Sequence, residues 1–428
     1  MAPTRSASDP ARVLSAEKSS YRKSVTDGGV RVVTESIPYV RSVSIGVWAN
    51  VGSRDETSTD NGISHFLEHM VFKGTRRRSV REIAQSLESL GGYLNAFTTK
   101  EHTCFYSRVL DAHLDQAVDV LTDLVQHATF RSEEVAKEKL VVLEELKNAE
   151  DDPEDIIHDY FEKTVFPDHS LGFPIIGTEK NLRRFERNDL REHLAGYYVP
   201  SNMIVSAAGN VRHDALVRLV NRHFSRRRTR PRIPPRPPLR TGRSKRGLVE
   251  HLRPISQAHV CLGTRGYSMH HADRYPLLVM NCLLGEGMSS RLYQSIRERH
   301  GLAYSVYSYV QMLSDTGLFG VYVGTDRGKI RDAIDLIHEE LDRLRSRPVS
   351  HKELARTRSQ IKGTMMLGLE NMSGRMMRLG TSELYFGVQV PIDEILRKVD
   401  AVTPDAIQRV AQDLFHLDDF STVVIRPS

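Results

Sequence analysis

Apolar and polar residues alternate through "GGVRVVTESIPYVRSVSIGVWANVGSRDE", residues 28–56, a period of two that predicts two strands ending in a glycine turn. The same plan returns in "GLVEHLRPISQAHVCLGTRGYSMHHAD", residues 247–273. Each strand pair runs into a segment with helical spacing, "GISHFLEHMVF" in the first case and "RYPLLVMNCLLGE" in the second. A further helix closes on glycine in both ("VREIAQSLESLGG" and "SSRLYQSIRERHG"), and strands follow ("YLNAFTTKEHTCFYSRVL" and "LAYSVYSYVQMLSDTGLFGVYVGT"). Long amphipathic helices come next, "LDQAVDVLTDLVQHA" and "IRDAIDLIHEELDRLRS". A duplicated α+β unit accounts for this order better than two unrelated folds. Because the strands come in runs, two halves are expected, each a mainly antiparallel sheet packed with helices.

One of these helices carries polar groups inside its apolar pattern. In "NGISHFLEHMVFKGT", residues 61–75, His65, Glu68 and His69 stand among Ile63, Phe66, Leu67, Met70, Val71 and Phe72. Unpaired polar groups on a buried helix are costly, so the pattern calls for a reason. Positions i and i+4 share a helix face, so His65 and His69 can present ring nitrogens to one metal ion. Glu68 lies on the same side, where a general base beside such an ion belongs. A tetrahedral hydrolytic site wants a third protein ligand from elsewhere. The best source is "SEEVAKEKLVVLEELKNAEDDPEDIIHDYF", read as a helix with Val135, Leu140, Val141 or Val142, Leu143 and Leu146 on its packed side. Glu138 and Glu145 are two turns apart on one stripe of it, so both could face the site.

The 428 residues suffice for two or three domains, and 39% hydrophobic with 27% charged residues is the balance of a soluble globular chain. No apolar run reaches the roughly 18 residues that span a bilayer, so no membrane role is expected. The first 24 residues lack the apolar region of a secretory signal. Asp9 and Glu17 argue against a transit peptide, which leaves a disordered leader over 1–24. Cys104, Cys261 and Cys282 have no C-x-x-C spacing and form no disulfide framework, which fits a reducing, cytoplasmic compartment. The net charge of +6 is concentrated in "RRRTRPRIPPRPPLRTGRSKR", residues 226–246, which has no acid. Proline stiffens this run and no aromatics interleave it, so it reads as a solvated linker rather than a nucleic-acid patch. The expected division is a domain over 25–225, a basic Pro-rich linker over 226–247 and a homologous domain over 248–428.

Taken together, these segments resemble the pitrilysin-type M16 metallopeptidases, the inverted-zincin family, whose signature is H-x-x-E-H followed by a distal glutamate. "HFLEHMVFKGT" is similar to the subgroup that holds the mitochondrial processing peptidase β-subunit and its bacterial relatives. Further matches are "GGYLNAFTTKEHTCFY", "LGFPIIGTEKNL", "YYVPSNMIVSAAGNV" and "SSRLYQSIRERHGLAYSVYS", so the resemblance runs from about residue 28 onward. It implies a LuxS/metallopeptidase-like α+β fold and a zinc-dependent endopeptidase acting on peptides or unfolded presequence-like segments.

By position, the resemblance makes His65, His69 and Glu145 the ligands of one zinc ion per chain, with Glu145 76 positions after His69. Glu68 becomes the base that activates water, and Glu138 an acid that orients a ligand or the water. Arg297 and Tyr304 in "IRERHGLAY" match a pair placed near the substrate carbonyl, where both are donors suited to an oxyanion. Asn95 and Ala96 match the strand whose edge pairs with an extended substrate. Asp155 and Asp159 are candidates for binding an arginine near the cleavage site, the alternative being a solvated helix start at Pro153.

The second half has "LVMNCLLGE" where the first has H-x-x-E-H, so it binds no second zinc this way. Short family members assemble two chains around the substrate, so the resemblance implies a homodimer in which the Arg/Tyr pair serves the partner's zinc, a heterodimer being the alternative. The host expectation is bacterial, a mitochondrial matrix location ranking second. Two other classes of function compete: a non-catalytic structural homologue, which loss of the motif or of the distal glutamate would mark, and a nucleic-acid binder using the basic linker.

Overall fold

The computed structural model describes residues 20–224, 233, 235, 236, 239 and 247–428. In the first half, strands β1 (Ser20–Val25), β2 (Arg31–Ser36), β3 (Ser42–Ala49), β4 (Tyr93–Thr98), β5 (Thr103–Leu110) and β6 (Met203–Gly209) form one sheet. Their order is β1-β2-β6-β3-β5-β4, and every pair is antiparallel except β2 with β6. In the second half, β7 (Gly247–Arg253), β8 (Ala258–Gly266), β9 (Ala303–Met312), β10 (Gly317–Thr325) and β11 (Ser421–Pro427) pair in the order β7-β11-β8-β10-β9. Again one pair is parallel, β7 with β11. Strand for strand this repeats the order β2-β6-β3-β5-β4, so the echo in the sequence is a repeat of topology.

The helices that bear on the site and on the contact between the halves are α1 (Ile63–Val71), α2 (Val80–Glu88), α3 (Leu114–His127), α4 (Ser132–Asp151) and α5 (Pro153–Val165) in the first half. The second half adds α6 (Arg274–Gly285), α7 (Ile330–Ser346), α8 (His351–Gly368) and α9 (Met372–Phe386). Their starts follow from local chemistry: Ser79 and Glu82 form a capping box at α2, and Asp152 caps α5 with Pro153 in its first turn.

Alternation along β3 sorts its residues onto two faces. Val43, Ile45, Val47 and Ala49 enter the main core with Phe66 and Met70 of α1 and Leu121 and Leu124 of α3. Trp48 faces the other way and packs with Met376 and Leu379 of α9, a helix of the second half. Gly380 makes the approach feasible, because a Cβ there would lie 2.2 Å from Trp48. Reciprocally, Ile156, Ile157 and Phe161 of α5 pack against Cys261, Tyr322 and Val423 of the second sheet. Each sheet is therefore covered on one face by helices of its own half and on the other by a helix of the opposite half.

A buried ionic cluster fastens the same seam. Arg54, 1% exposed, donates to Glu101 of its own half at 2.7 Å and to Asp315 of the second half at 2.6 Å. Arg236, from the segment between the halves, reaches Asp55 at 3.0 Å and Asn50 at 2.9 Å. Pairing from both sides is what makes such charges tolerable out of water.

Three expectations need correction. Ser20–Val25 belongs to the sheet rather than to a leader. Its sequence, SYRKSV, has no apolar alternation because it is an exposed edge strand, held by main-chain pairing to β2 and by Arg22 on Asp214. The rest of the expected leader, residues 1–19, lies outside the described residues, as does most of the expected linker; Gly247, assigned to the linker, opens β7. On α4, Val142, Leu143 and Leu146 are buried, whereas Leu140 and Val141 are exposed. Among the described residues no helix is long and apolar enough to cross a membrane.

Candidate functional site

Helix α1 starts at Gly62, whose φ of 98° is a left-handed conformation that favours glycine, and whose missing Cβ leaves room for the Gly177 backbone. Gly62 has no side chain to cap the helix. Glu56 does so from a distance: its carboxylate accepts from Gly62 N at 2.8 Å, Ser64 N at 2.9 Å and Asn61 Nδ2 at 3.0 Å. Burial pushes this carboxyl up to about 7, opposed by those bonds. A carboxylate at a helix N-terminus also complements the helix dipole.

So anchored, α1 presents His65 and His69 with ring centroids 4.8 Å apart. Helix α4 packs against α1 and brings in Glu145. His65 Nε2 is 3.6 Å from Glu145 Oε1, and His69 Nε2 is 3.4 Å from Glu145 Oε2. One ligand atom from each of the three residues falls within a 4.8 Å cluster. Tetrahedral zinc with nitrogen and oxygen ligands separates its ligand atoms by about 3.3–3.6 Å, which the two histidine-to-Glu145 separations match, so the donor set suits that ion. Burial, with His69 next to it, pushes His65 down to about 4, which leaves the neutral imidazole that a metal requires.

Around this trio lie two carboxylates with different environments. Glu138 Oε1 is 3.0 Å from His69 Nδ1, and its Oε2 is 2.7 Å from Lys73 Nζ. Burial pushes Glu138 up, but the bonds to His69 and Lys73 outweigh it and hold the group below its ordinary value. A carboxylate on the far nitrogen of an imidazole fixes the ring so that Nε2 points at the cluster. Glu68 is raised, by burial first and by the Glu145 charge last, against the Thr98 bond and His69. Thr98 Oγ1 donates to Glu68 Oε2 at 2.6 Å, while no hydrogen-bond partner is seen for Oε1 among the described residues.

The remaining candidates separate into three places. Asn95 and Ala96 lie on β4, the edge strand that packs against α1. There Asn95 Oδ1 accepts from Ala96 N at 2.8 Å, and Asn95 Nδ2 donates to Tyr93 Oη at 2.6 Å. Arg297 and Tyr304 meet each other in the second half. Arg297 Nη1 donates to the Tyr304 carbonyl at 2.9 Å, and its guanidinium lies between the rings of Tyr293 and Tyr304, 4.9 and 4.5 Å from their centroids. Tyr304 is 76% exposed, and neither residue has a hydrogen bond, ion pair or ring contact to the histidine cluster. Asp155 and Asp159 are on α5, the former exposed; burial pushes Asp159 up to about 6, opposed by Lys100.

Thr98, Lys73, Glu56 and Tyr293 escaped the sequence reading. The first three act across folded distance, and a serviceable signal existed only for Tyr293, one helical turn before Arg297.

The chain matches two family descriptions, "Insulinase (Peptidase family M16)" over residues 31–179 and "Peptidase M16 inactive domain" over residues 184–361. An uncharacterized zinc protease of Bacillus subtilis, YmxG, is 43% identical over 404 residues, covering 94% of this chain and 97% of the relative. A zinc protease of Streptomyces coelicolor, also uncharacterized, is 42% identical over 400 residues, covering 92% of this chain and 87% of the relative. Among solved structures, a protease from Helicobacter pylori superposes with a TM-score of 0.90 at 23% identity, covering 95% of this chain and 99% of that one. An M16 inactive-domain structure from Pseudomonas fluorescens gives 0.89 at 18% identity, covering 96% and 98%.

Proposed function

The chain belongs to the M16 peptidase family, and from that premise we propose that it is a zinc-dependent endopeptidase that cuts unfolded, presequence-like peptides. The observation that carries this reading is the meeting of His65, His69 and Glu145 on two packed helices beside Glu68. Zinc held by those three residues, one ion per chain, would supply Lewis acidity that acidifies water and polarises a carbonyl.

The protein's own part follows from its side chains. Glu68 has one oxygen tied to Thr98 and the other available, so it takes a proton from the attacking water and hands it to the departing amine. Its raised pKa brings it closer to working pH, which suits a group that must both accept and release a proton. Glu138 keeps His69 in the tautomer that points Nε2 at the cluster. The free edge of β4 can add an extended peptide as a further strand; Asn95 then gives up the Ala96 amide it now holds. Asp155 in the first turn of α5, with Asp159 four residues on, suits a basic residue near the cleaved bond.

Arg297 and Tyr304 are donors for the carbonyl oxygen that becomes negative. The exposure of Tyr304, and the absence of contacts from either residue to the histidine cluster, favour a homodimer in which each pair serves the partner's site.

Cleavage of a basic, unstructured peptide by the zinc-loaded protein, with chelator and Glu68→Gln controls, tests the reading. Loss of cleavage in both controls is expected, with one bound zinc per chain by elemental analysis. Equal cleavage by Glu68→Gln, or none by the loaded parent, overturns it. For the dimer, mixed His65→Ala and Arg297→Ala chains should recover activity that neither has alone; verified mixed dimers without recovery refute sharing.

A further inference from the structure

The second half contains a cleft of about 700 Å³ whose lining is dominated by one kind of side chain. Five guanidiniums, Arg291, Arg299, Arg343, Arg347 and Arg356, face two carboxylates, Glu340 and Glu353. The arginines come from three separate elements: the segment that includes the π-helical turn Tyr293–Arg299, the end of α7, and the first turns of α8. None of these residues belongs to the proposed catalytic machinery.

The carboxylates do not neutralise the set. Arg291 is held by Glu353 through two 2.8 Å bonds, and Arg343 by Glu340 at 2.7 Å and by Glu339, outside the cleft lining, at 3.3 Å. Arg299 is only 3.7 Å from the same Glu340 and otherwise donates to a main-chain carbonyl. Arg356 uses one nitrogen on the Ser289 carbonyl, and among the described residues Arg347 has no side-chain partner. Arg347 and Arg356 are thus left without an acidic partner among the described residues.

Two further features favour an anion. Ser350, the N-cap of the 18-residue helix α8, lines the cleft, which brings the positive end of that helix to it. Ser290 also lines it, is 2% exposed, and its hydroxyl has no hydrogen-bond partner. A buried hydroxyl left unpaired costs free energy unless something supplies the bond.

From this convergence we propose that the cleft binds a chain of two or more phosphates, carried by a nucleotide or by inorganic polyphosphate. Guanidinium forks and hydroxyls match phosphate oxygens in geometry and charge. The spread of the arginines over three elements, and a volume in the range of small-molecule sites, exceed what a single phosphate would use. The same π-helical turn carries Arg297, so an occupant would bear on an element of the proposed oxyanion site as well.

Isothermal titration of the zinc-loaded protein with tripolyphosphate and, separately, with adenosine triphosphate tests this. Binding with a dissociation constant below about 1 mM is expected. In the double variant Arg347→Gln/Arg356→Gln the affinity should fall at least tenfold, and Ser290→Ala should weaken it as well; both variants alter residues outside the core of the fold or by a single atom. Equal affinity for the two probes identifies the phosphate chain alone as the ligand, and preference for the nucleotide identifies its base or sugar as part of it. Absence of binding by either probe overturns the proposal. So does binding that the double variant leaves unchanged, which would locate the anion on the metal instead.

Discussion

The hydroxyl of Thr98 donates to Oε2 of Glu68 at 2.6 Å, tying the edge strand β4 to the helix that carries both histidines. Strand and helix are therefore linked directly, from β4 to the carboxylate beside the candidate metal ligands.

Thr98→Val keeps the shape and removes the donor. A hydrogen bond to a charged group contributes about 1.5–3 kcal/mol, so kcat on a peptide substrate should drop by about 10- to 100-fold with KM little changed. Thr98→Ser should retain most of the activity. Equal kinetics for the Val and Ser variants would show that the bond has no catalytic consequence.

Glu138 acts one bond further out. Glu138→Gln leaves the volume but weakens the hold on His69 and strands Lys73, and losses of about 10- to 100-fold in metal affinity are typical of such changes. Competition against a chromophoric zinc chelator reads this directly, without any peptide. An unchanged affinity would reduce Glu138 to a packing role.

Acid should weaken the fold through His193, which is 8% exposed and contacts the Ser64 hydroxyl at 3.3 Å. Burial pushes its imidazole down to about 4, against a small opposing effect of Asp60. The folded value lies below the unfolded one, so the neutral ring stabilises in full above about pH 6.5 and that stabilisation is lost as pH falls towards 4. The span is worth on the order of 3 kcal/mol. Urea midpoints at pH 7 and pH 4.5 should differ less in His193→Gln than in the parent, and parallel acid profiles would exclude this histidine as the source.

Gly380→Ala tests the seam between the halves. The added methyl would meet the Trp48 ring at 2.2 Å, and overpacking of this sort costs about 1–3 kcal/mol. Thermal unfolding should move down as one transition with tryptophan fluorescence and far-ultraviolet dichroism coinciding. A separate early loss of only one signal would mean that the halves melt independently.

The parts of the site that sequence revealed are those that local geometry dictates. His65 and His69 sit four apart on a helix, which places their rings on one side whatever the rest of the chain does. Glu145 needed the family resemblance, because α4 also offers Glu133, Glu134, Glu138 and Glu144. The repeated order of strands was legible for the same local reason, since periods of two and 3.6 survive in any context. Thr98 and Glu56 were invisible: their bonds span 30 residues to Glu68 and 8 residues to Ser64 through turns that no periodicity encodes. The edge strand β1 had no apolar face to betray it. Nor does the apolar stripe of α9 say which sheet it covers; only the fold reveals that Met376 and Leu379 meet Trp48.

That exchange of helices has a consequence for how the protein is made. Strands β1 to β6 leave the ribosome well before α9, so Trp48, Cys104 and Ile204 stand uncovered until most of the chain has been synthesised. Helix α5 waits in turn for β8 and β11. The repeated halves thus mature together, and a nascent chain released short of Met372 would display the bare face of the first sheet although α1 and α4, with every one of the candidate metal ligands, are already made.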